Sequence, residues 1–563
     1  MNRLLLFIIL FLFASTTYSQ QLHEYYFKFK IEDRGVINNL SKIISIDNVQ
    51  GNEVYAYAND EELVEFMQYE IKFEMLPKPG DVSNVSMSDN IDEIMEWDTY
   101  PTYDAYVTMM NQFVAAYPNL CRIVNAGSTV YGRSILFAVI SDNVNTKEPE
   151  PQFQYSSSMH GDETTGYVLM LRLINQLLTN YNTDPKITNL VNNIEIWINP
   201  LANPDGTYYP QSNNTISGAR RYNANGKDLN RNFPDPADGP NPGGAWQPET
   251  IAYMNLFTAN RFVLSANFHG GAEVVNYPWD TWSRLSADNS WWVYVCRQYA
   301  DTVHANAPST YMDEFDNGIT NGYAWYRITG GRQDYMTYFR RGREVTIEIS
   351  NTKLLPGAQL PAHWNYNYKS FLNYMQRCLY GINGTVKDSI TLQPINRAKI
   401  TVNSFDMDSS EVLSDSLFGK YYRMINTGTY SLTFSKTGYN SKTVTNVYAK
   451  KDSLTTLNVL LRPVSVNISN NGNAIPQDYK LYQNYPNPFN PATTISFALP
   501  KESDIVLKVY DISGREVAEL INGVLKAGEY NYKFDASDLS SGVYFYSIKA
   551  GSYTETKKML LVK

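Results

Sequence analysis

The residues with the clearest chemical potential are two histidines and a glutamate. His160 and Glu163 stand close together in His160-Gly161-Asp162-Glu163-Thr164, and His269 follows much later. Two imidazoles and a carboxylate form a ligand set that zinc takes in hydrolases, where a further position stays open for water. Zinc lowers the pKa of bound water to about 7, which makes hydroxide available at neutral pH. The three residues predict a metal site, although a single His-x-x-Glu also arises by chance.

Each of these histidines follows an apolar run that predicts a buried strand. Residues 152–156 precede His160, and residues 263–268 precede His269. Ligands of layered α/β sheets gather beyond the carboxyl ends of strands, so we expect the two side chains to meet there. Surface or packing roles are predicted for the remaining histidines, His23, His304 and His363.

The segment 93–380 alternates helix and strand signals, which predicts an α/β domain with a mainly parallel or mixed sheet. A small α/β unit and linker are predicted at 20–92, from strand-like alternation at 25–31 and helical spacing at 61–67. In an exported hydrolase such a unit is either a propeptide or a permanent structural domain, and the pattern leaves both readings open.

Beyond residue 380 the elements become short, alternating and separated by turn residues. Residues 381–464 predict a small β-sandwich or barrel, and residues 480–563 predict a second all-β module. A linker is predicted at 465–479, and Asp511-Ile512-Ser513-Gly514 predicts a hairpin turn.

The chain begins with the pattern of a secretory signal peptide. A basic start, an apolar run from Leu4 to Phe13 and a small polar stretch to Ser19 predict a signal at 1–19, with a membrane anchor as the alternative. No later apolar stretch reaches spanning length, so no transmembrane segment is expected in the mature chain. The net charge of −9 excludes a basic footprint for nucleic acid. Buried thiols are predicted for Cys121, Cys296 and Cys378, of which two can form at most one disulfide.

Several ordered motifs resemble those of the zinc metallocarboxypeptidases, and most closely the subfamily of carboxypeptidases D, E, M and N. They cover roughly the segment 97–380 and are typical as a set rather than singly. They are His160-Gly161-Asp162-Glu163-Thr164, Asn203-Pro204-Asp205-Gly206, the run 228–235, Phe268-His269-Gly270-Gly271 and Thr346-Ile347-Glu348-Ile349-Ser350. Residues 276–280 and 318–326 favour the D/E/M/N subfamily.

The resemblance implies a role for each matching position. His160, Glu163 and His269 would bind one zinc ion, and Glu348 would act as general base. Arg221 would polarise the scissile carbonyl. The substrate's terminal carboxylate would be held by Asn230 and Arg231, and Tyr326 would close over it.

Three of these assignments have competitors. Glu344 precedes Glu348 on the same predicted strand face, and Arg220 adjoins Arg221. The family motif favours Glu348, and the spacing to Arg231 favours Arg221. Tyr326 stands among many tyrosines and is otherwise a packing residue.

The resemblance also predicts the substrate side chain. In the subfamily, positions matching Asp280 and Gln333 receive a basic C-terminal residue, so release of C-terminal Lys or Arg is expected. Arg332, adjacent to Gln333, would repel such a substrate if its side chain entered the pocket.

Both tail modules have resemblances of their own. Residues 382–463 resemble the transthyretin-like module that follows the catalytic domain in this subfamily, and the final module resembles a type IX secretion sorting domain. The second resemblance implies bacterial export across the outer membrane through a secretion machinery, with an adhesion module as the alternative.

Together these features predict a secreted or cell-surface zinc carboxypeptidase acting on peptide or protein C-termini. A zinc amidase or deacylase on the same scaffold, and an inactive cell-surface binding protein, are the alternatives.

Overall fold

The computed structural model describes residues 23–464, 476–537 and 539–563. The predicted signal at 1–19 and residues 465–475 of the predicted linker lie outside these ranges. The chain divides into two compact units. The first runs through Lys147 and adds Gln152–Leu285 and Trp292–Met375, and the second holds Glu148–Pro151, Ser286–Trp291 and Gln376–Lys563.

An antiparallel four-stranded sheet opens the first unit, and we call residues 23–76 the N-terminal unit. Its strands lie in the order β2–β3–β1–β4. They are β1 (Glu24–Lys30), β2 (Ser45–Gln50), β3 (Glu53–Asn59) and β4 (Phe73–Leu76). Asn59 begins the following helix with a capping box, in which its side chain and that of Glu62 each accept a backbone N–H of the other residue. The predicted α/β unit is therefore present.

An eight-stranded mixed sheet forms the centre of the first unit, as the sequence predicted. Its order is β13–β12–β14–β11–β9–β10–β8–β7. The strands are β7 (Cys121–Ser128), β8 (Ser134–Ile140), β9 (Gln152–Ser157), β10 (Glu195–Asn199), β11 (Phe262–His269), β12 (Ala272–Tyr277), β13 (Ile319–Asn321) and β14 (Glu344–Ser350). Every residue of β9 is buried, which is the pattern of a central strand with both faces covered.

The register of three parallel strands positions the chemistry. β11 pairs in parallel with β9 on one side and with β14 on the other, and His269 stands directly opposite Glu348. His269 is the last residue of β11 rather than the first residue after it, because the ladder continues one position beyond the predicted end. The carboxyl ends of β9, β11 and β14 are thus neighbours at one edge of the sheet.

Helices alternate with the strands along the first unit. They are α1 (Ile37–Leu40), α2 (Asp60–Met67), α3 (Ile91–Ile94), α4 (Tyr103–Ala116), α5 (Thr165–Thr179), α6 (Pro185–Val191), α7 (Pro204–Thr207), α8 (Pro248–Ala259), α9 (Asn289–His304, which continues from the second unit), α10 (Glu314–Asn317), α11 (Gly322–Trp325), α12 (Arg332–Asp334) and α13 (Leu360–Gln376). Single 3₁₀ turns cover Arg34–Val36, Leu229–Arg231 and Gly357–Gln359, and a π turn covers Tyr335–Phe339; a further 3₁₀ turn, Arg377–Leu379, belongs to the second unit.

The predicted linker before the central domain is more ordered than its composition suggested. It contains strand β5 (Met87–Ser88), which pairs with β6 (Tyr100–Pro101). Gly80 packs against the backbone of Ala219, so closely that a side chain at Gly80 would collide with the Ala219 carbonyl. Residues 81–84 form its longest fully exposed run. A two-residue strand has no periodicity, so the sequence pattern did not reveal it.

The second unit consists of two all-β modules, as predicted. The first contains β15 (Gly381–Asp388), β16 (Lys399–Val402), β17 (Val412–Leu413), β18 (Lys420–Arg423), β19 (Gly428–Ser435), β20 (Lys442–Ala449), β21 (Leu454–Thr456) and β22 (Val459–Leu461). The second contains β23 (Lys480–Leu481), β24 (Ala492–Leu499), β25 (Ser503–Asp511), β26 (Glu516–Leu525), β27 (Gly528–Asp535), β28 (Gly542–Ala550) and β29 (Tyr553–Leu561). The predicted hairpin turn connects β25 to β26, with Gly514 N–H donating to Asp511 O.

Cys121, Cys296 and Cys378 are all buried free thiols, in agreement with the predicted packing role. None of the helices within the described ranges is long and apolar enough to cross a membrane.

Candidate active site

The predicted ligands meet at the carboxyl edge of the central sheet. Glu163 Oε1 lies 3.0 Å from His160 Nδ1, and Glu163 Oε2 lies 2.8 Å from His269 Nδ1. The two Nδ1 atoms are 3.0 Å apart. One ligand atom from each residue therefore lies within 4.8 Å of the others, which is the spacing of a shared metal ion.

The opposite nitrogen of each imidazole ring has a fixed partner. His160 Nε2 lies 3.1 Å from Asp228 Oδ1, and His269 Nε2 lies 2.6 Å from Asn267 Nδ2. Outer partners of this kind hold the ring orientation of metal-binding histidines. Both Nδ1 atoms are thereby directed at Glu163, and the donor set fits zinc.

The protonation of the three residues follows from their surroundings. Burial lowers the pKa of His269 to about 4, which keeps the ring neutral as a ligand must be. Burial opposes ionisation of Glu163, but His160, Lys353 and His269 outweigh it and hold its pKa well below the usual range. Burial and Arg221 act to lower the pKa of His160, yet Glu163 and Asp228 raise it overall. A proton therefore competes with a metal for His160.

Arg221 lies beside the ligand cluster and is buried. Its Nη1 is 3.2 Å from Glu163 Oε1, and its Nε is 3.3 Å from Asp228 Oδ2. Arg220 points elsewhere, with its guanidinium 3.5 Å from the centre of the Tyr209 ring. The geometry separates the two neighbouring arginines, and only Arg221 faces the cluster.

Glu348 lies next to His269 on the adjacent strand, and its Oε2 is buried without a hydrogen-bond partner. Burial, followed by the charge of Glu163, raises the pKa of Glu348 well above its usual value. A carboxylate poised to take up a proton is what a general base requires. Its competitor Glu344 is engaged elsewhere, because its two oxygens accept from Arg332 Nε at 2.8 Å and Ser265 Oγ at 2.6 Å.

The residues expected to hold a terminal carboxylate line the same cleft as the ligands. Asn230 Oδ1 accepts from Arg332 N at 2.9 Å, which leaves its Nδ2 as the available donor. Arg231 Nη2 donates to Ile46 O at 2.9 Å. Tyr326 OH donates to Asp47 O at 3.2 Å, so both side chains are occupied by strand β2.

Asp280 and Gln333 are in contact, as the specificity prediction requires. Gln333 Nε2 donates to Asp280 Oδ1 at 3.0 Å, and Asn276 Nδ2 donates to the same oxygen at 3.1 Å. Burial raises the pKa of Asp280 to about 7, with Asn276 lowering it and Asp235 among the acids raising it. The space beside the carboxylate depends on Gly322, where a Cβ would lie 1.7 Å from Asp280 Oδ1.

Arg332 does not enter this pocket. Its guanidinium is fully buried and forms a two-pronged ion pair with Glu344, at 2.8 Å from Nε and 3.1 Å from Nη2. The repulsion that its position in the sequence suggested is therefore not present.

The N-terminal unit reaches directly into the cleft. Asp47 Oδ1 lies 3.0 Å from Arg221 Nη1 and 2.6 Å from Lys353 Nζ. Ser45 Oγ accepts from Arg221 Nε at 2.8 Å and donates to Asp228. Strand β2 thus occupies the side-chain donors of Arg221 and Lys353 within the cleft.

Sequence reasoning missed Asp228, Asn267, Asp47 and Lys353. Asp228 stands in a recognised motif, and its position just before Asn230 was a usable signal. Lys353 and Asp47 stand in no pattern, and only their buried contacts identify them.

Comparison with known proteins gives three family matches along the chain. Residues 106–370 match the family model described as zinc carboxypeptidase. Residues 381–462 match the carboxypeptidase regulatory-like domain, and residues 483–563 match the secretion system C-terminal sorting domain.

Individual relatives carry the similarity across more than half of the chain. Carboxypeptidase D of Rattus norvegicus is 36% identical over 378 residues, which cover 64% of this chain and 27% of that protein. The match thus spans about a quarter of that relative's length. Carboxypeptidase M of Mus musculus is 33% identical over 341 residues, covering 58% of this chain and 75% of that protein. Carboxypeptidase A from Helicoverpa armigera has a TM-score of 0.49 and 17% identity, over 63% of this chain and 97% of that structure.

Proposed function

The chain belongs to the zinc carboxypeptidase family, and from this premise we propose that it removes C-terminal residues from peptides. The observation that carries the proposal is the single cleft that holds the ligand cluster together with Arg221, Arg231 and Glu348. The sorting domain indicates secretion. We propose that the chain is exported across an outer membrane by the machinery that recognises this domain.

A zinc ion held by His160, Glu163 and His269 would supply a water of lowered pKa and a positive charge beside the scissile carbonyl. Glu348 takes the proton from the attacking water, since its Oε2 is unpaired and its pKa is raised. Arg221 stabilises the negative charge that develops on the carbonyl oxygen.

The terminal carboxylate of the substrate binds to Asn230 Nδ2 and the Arg231 guanidinium. Arginine suits this role because its planar fork meets a carboxylate with two parallel hydrogen bonds. Tyr326 closes the cleft and donates its hydroxyl to the bound peptide. The need for a free C-terminus distinguishes an exopeptidase from an amidase on the same scaffold.

The released residue is basic, in this proposal, because the pocket is rich in buried acids. Asp280 lies near Asp334, whose carboxylate accepts the backbone N–H of Asp280 at 3.1 Å and of Thr281 at 2.9 Å. Desolvation and the charge of Asp280 raise the pKa of Asp334 well above its usual range. An incoming Lys or Arg side chain would supply the missing positive charge to Asp280.

We also propose that the N-terminal unit is a propeptide that keeps the enzyme latent. Ile46 O accepts from Arg231, and Asp47 accepts from Arg221, so one strand blocks both the carboxylate clamp and the carbonyl-polarising group. The unit is anchored by a shared core in which Phe27 and Ile46 belong to the same cluster as Trp325 and Tyr326. Activation therefore requires release of the unit, and the exposed residues 81–84 offer the site for cleavage.

The test uses the full chain before and after limited proteolysis at residues 81–84. We expect about one zinc per chain by elemental analysis, and hydrolysis of a blocked dipeptide ending in Arg that becomes rapid after cleavage. A blocked dipeptide with an amidated C-terminus should remain intact. Zinc binding without any hydrolysis would favour a binding protein, hydrolysis of the amide would favour an amidase, and a clear preference for Phe over Arg would refute basic specificity.

A further inference from the structure

A buried lysine on the metal side of the cleft has no role in the reaction described above. Lys353 follows strand β14 and is 5% exposed. Its carbonyl oxygen accepts from Thr164 N at 3.0 Å, which fixes the backbone beside the ligand loop. Its side chain runs along Gly271, where a Cβ would lie 3.0 Å from Lys353 Cε. Gly271 has a φ of +110°, so a residue with a side chain is disfavoured there on both counts.

The charges around Lys353 come from both the N-terminal unit and the central domain. Its Nζ lies 2.6 Å from Asp47 Oδ1 and 2.8 Å from Glu163 Oε1, and 5.0 Å from the centre of the Tyr57 ring. Asp162 is a further acidic neighbour. Of these groups, Asp47 and Tyr57 leave with the N-terminal unit, and Glu163 is committed to the metal. Asp162 stays but forms no direct ion pair with Lys353. A buried ammonium that loses a carboxylate partner gains from a replacement.

Strand β2 indicates which part of a bound peptide would bring a replacement carboxylate to Lys353. Ile46 O contacts Arg231, which lies on the side of the cleft that holds the substrate's terminal carboxylate. The next residue, Asp47, places its carboxylate between Arg221 and Lys353. Asp280 and Gln333, which read the residue that is released, contact each other rather than Lys353. Lys353 therefore lies beyond the carbonyl-polarising arginine, on the side of the residue that precedes the cleaved bond.

We propose that Lys353 forms a second anion-binding subsite, which recognises an acidic side chain on the substrate residue immediately before the released one. Asp47 fills this subsite while the N-terminal unit is in place. The inference rests on the proposed function and deepens it, because it defines the substrate class as peptides ending in an acidic residue followed by a basic one.

The first experiment compares two blocked tripeptides, ending in Asp-Arg and Asn-Arg, on the full chain activated by cleavage at residues 81–84. We expect kcat/KM to be about tenfold higher for Asp-Arg, as a charge-assisted hydrogen bond provides. Lys353→Met should reduce this ratio to about one, whereas Lys353→Arg should retain it. Lys369→Met is the matched control, since Lys369 is on helix α13 with an exposed contact to Asn306.

Equal rates for the two peptides on the wild-type enzyme would overturn the subsite while leaving the proposed function intact. Absence of hydrolysis for both peptides would count against the proposed function itself. Zinc content is measured in each Lys353 variant because Lys353 contacts Glu163.

A second measurement tests the subsite without activity. In the intact chain, Asp47→Asn and Lys353→Met are combined, and the midpoint of thermal unfolding is followed. If Lys353 holds the Asp47 carboxylate, the double variant should lose no more than the larger single loss. Additive losses would show that the two groups act independently and would overturn the proposal.

Discussion

Asp47 Oδ1 and Arg221 Nη1 are 3.0 Å apart, although 174 positions separate the two residues in the chain. Asp47 belongs to the N-terminal unit, and Arg221 belongs to the wall of the cleft. This ion pair is 3–5% exposed, so it is desolvated on both sides. A pair of this kind is costly to break from one side only, because the remaining charge stays buried.

Replacing Asp47 should therefore loosen the N-terminal unit. We expect Asp47→Asn to raise the residual activity of the intact chain about tenfold, since one neutral amide cannot hold both Arg221 and Lys353. Hydrolysis of a blocked Arg dipeptide before proteolysis measures the effect. Glu65→Gln, on the exposed face of helix α2, is the control and should change nothing. Unaltered activity in Asp47→Asn would argue for a permanent structural unit.

Acidity should strengthen the association of the N-terminal unit with the central domain. Glu24 accepts from the backbone of Arg221 and Tyr222, and burial raises its pKa to about 7, with Asp162 adding to the rise and Arg220 and Lys78 opposing it. Burial also raises the pKa of Glu62 to about 7, opposed by its hydrogen bonds to Asn59 and Tyr222 and by Lys227, while Asp228 adds to the rise.

Because these folded-state pKa values exceed the ordinary value of 4.5, the docked state binds more protons. The resulting stability is fully present below pH 4.5 and is lost as the pH rises through about 7. Cleavage at residues 81–84 and release of the unit should be faster at pH 8 than at pH 5.5, as followed by gel filtration. Glu24→Gln combined with Glu62→Gln should flatten the dependence, and a release rate that rises toward acid would contradict it.

The proposed preference for basic residues should itself depend on pH. Asp280, with its pKa of about 7, is mostly protonated at pH 5.5 and ionised at pH 8. The ratio of kcat/KM for peptides ending in Arg and in the neutral analogue citrulline should rise across that interval. Asp280→Asn should give a low and constant ratio. A ratio that is independent of pH in the wild-type enzyme would remove Asp280 from the pocket.

Loss of the proposed general base should separate catalysis from metal binding. Glu348→Gln retains the three ligands, so its zinc content should be unchanged while kcat falls by about 100-fold or more. Elemental analysis and steady-state rates on the proteolysed full chain give the two values. Glu344→Gln is the informative comparison, since it should reduce stability rather than selectively lower kcat. Comparable kcat in Glu348→Gln and wild type would assign the proton transfer elsewhere.

The buried pair of Arg332 and Glu344 should act on stability. Arg332→Met leaves Glu344 uncompensated at 0% exposure, and we expect a loss of about 3–5 kcal/mol in the free energy of unfolding. Chemical denaturation measures this loss. The double variant Arg332→Met/Glu344→Leu should recover much of it, because no buried charge remains. A double variant less stable than either single one would indicate a different role for the pair.

The sequence by itself determined the candidate metal ligands, the order of the α/β and all-β parts and most strands of the central sheet. His160 and His269 were identifiable because each follows a buried apolar run, and Glu163 because of its spacing to His160; both are local features of the chain. The family motif favoured Glu348 over Glu344, and the spacing to Arg231 favoured Arg221 over Arg220, but neither showed which side chain faces the cleft.

Tertiary structure decided which neighbouring charges face the cleft. Arg332 pairs with Glu344 and does not line the pocket of Asp280. Lys353 pairs with Asp47, from which it is separated by 306 positions. The local sequence around a charged residue does not show which way its side chain points. Only the folded structure shows which charge is buried beside an opposite charge. The placement of strand β2 in the cleft is likewise invisible in the sequence, because it depends on the packing of two separately patterned segments against each other.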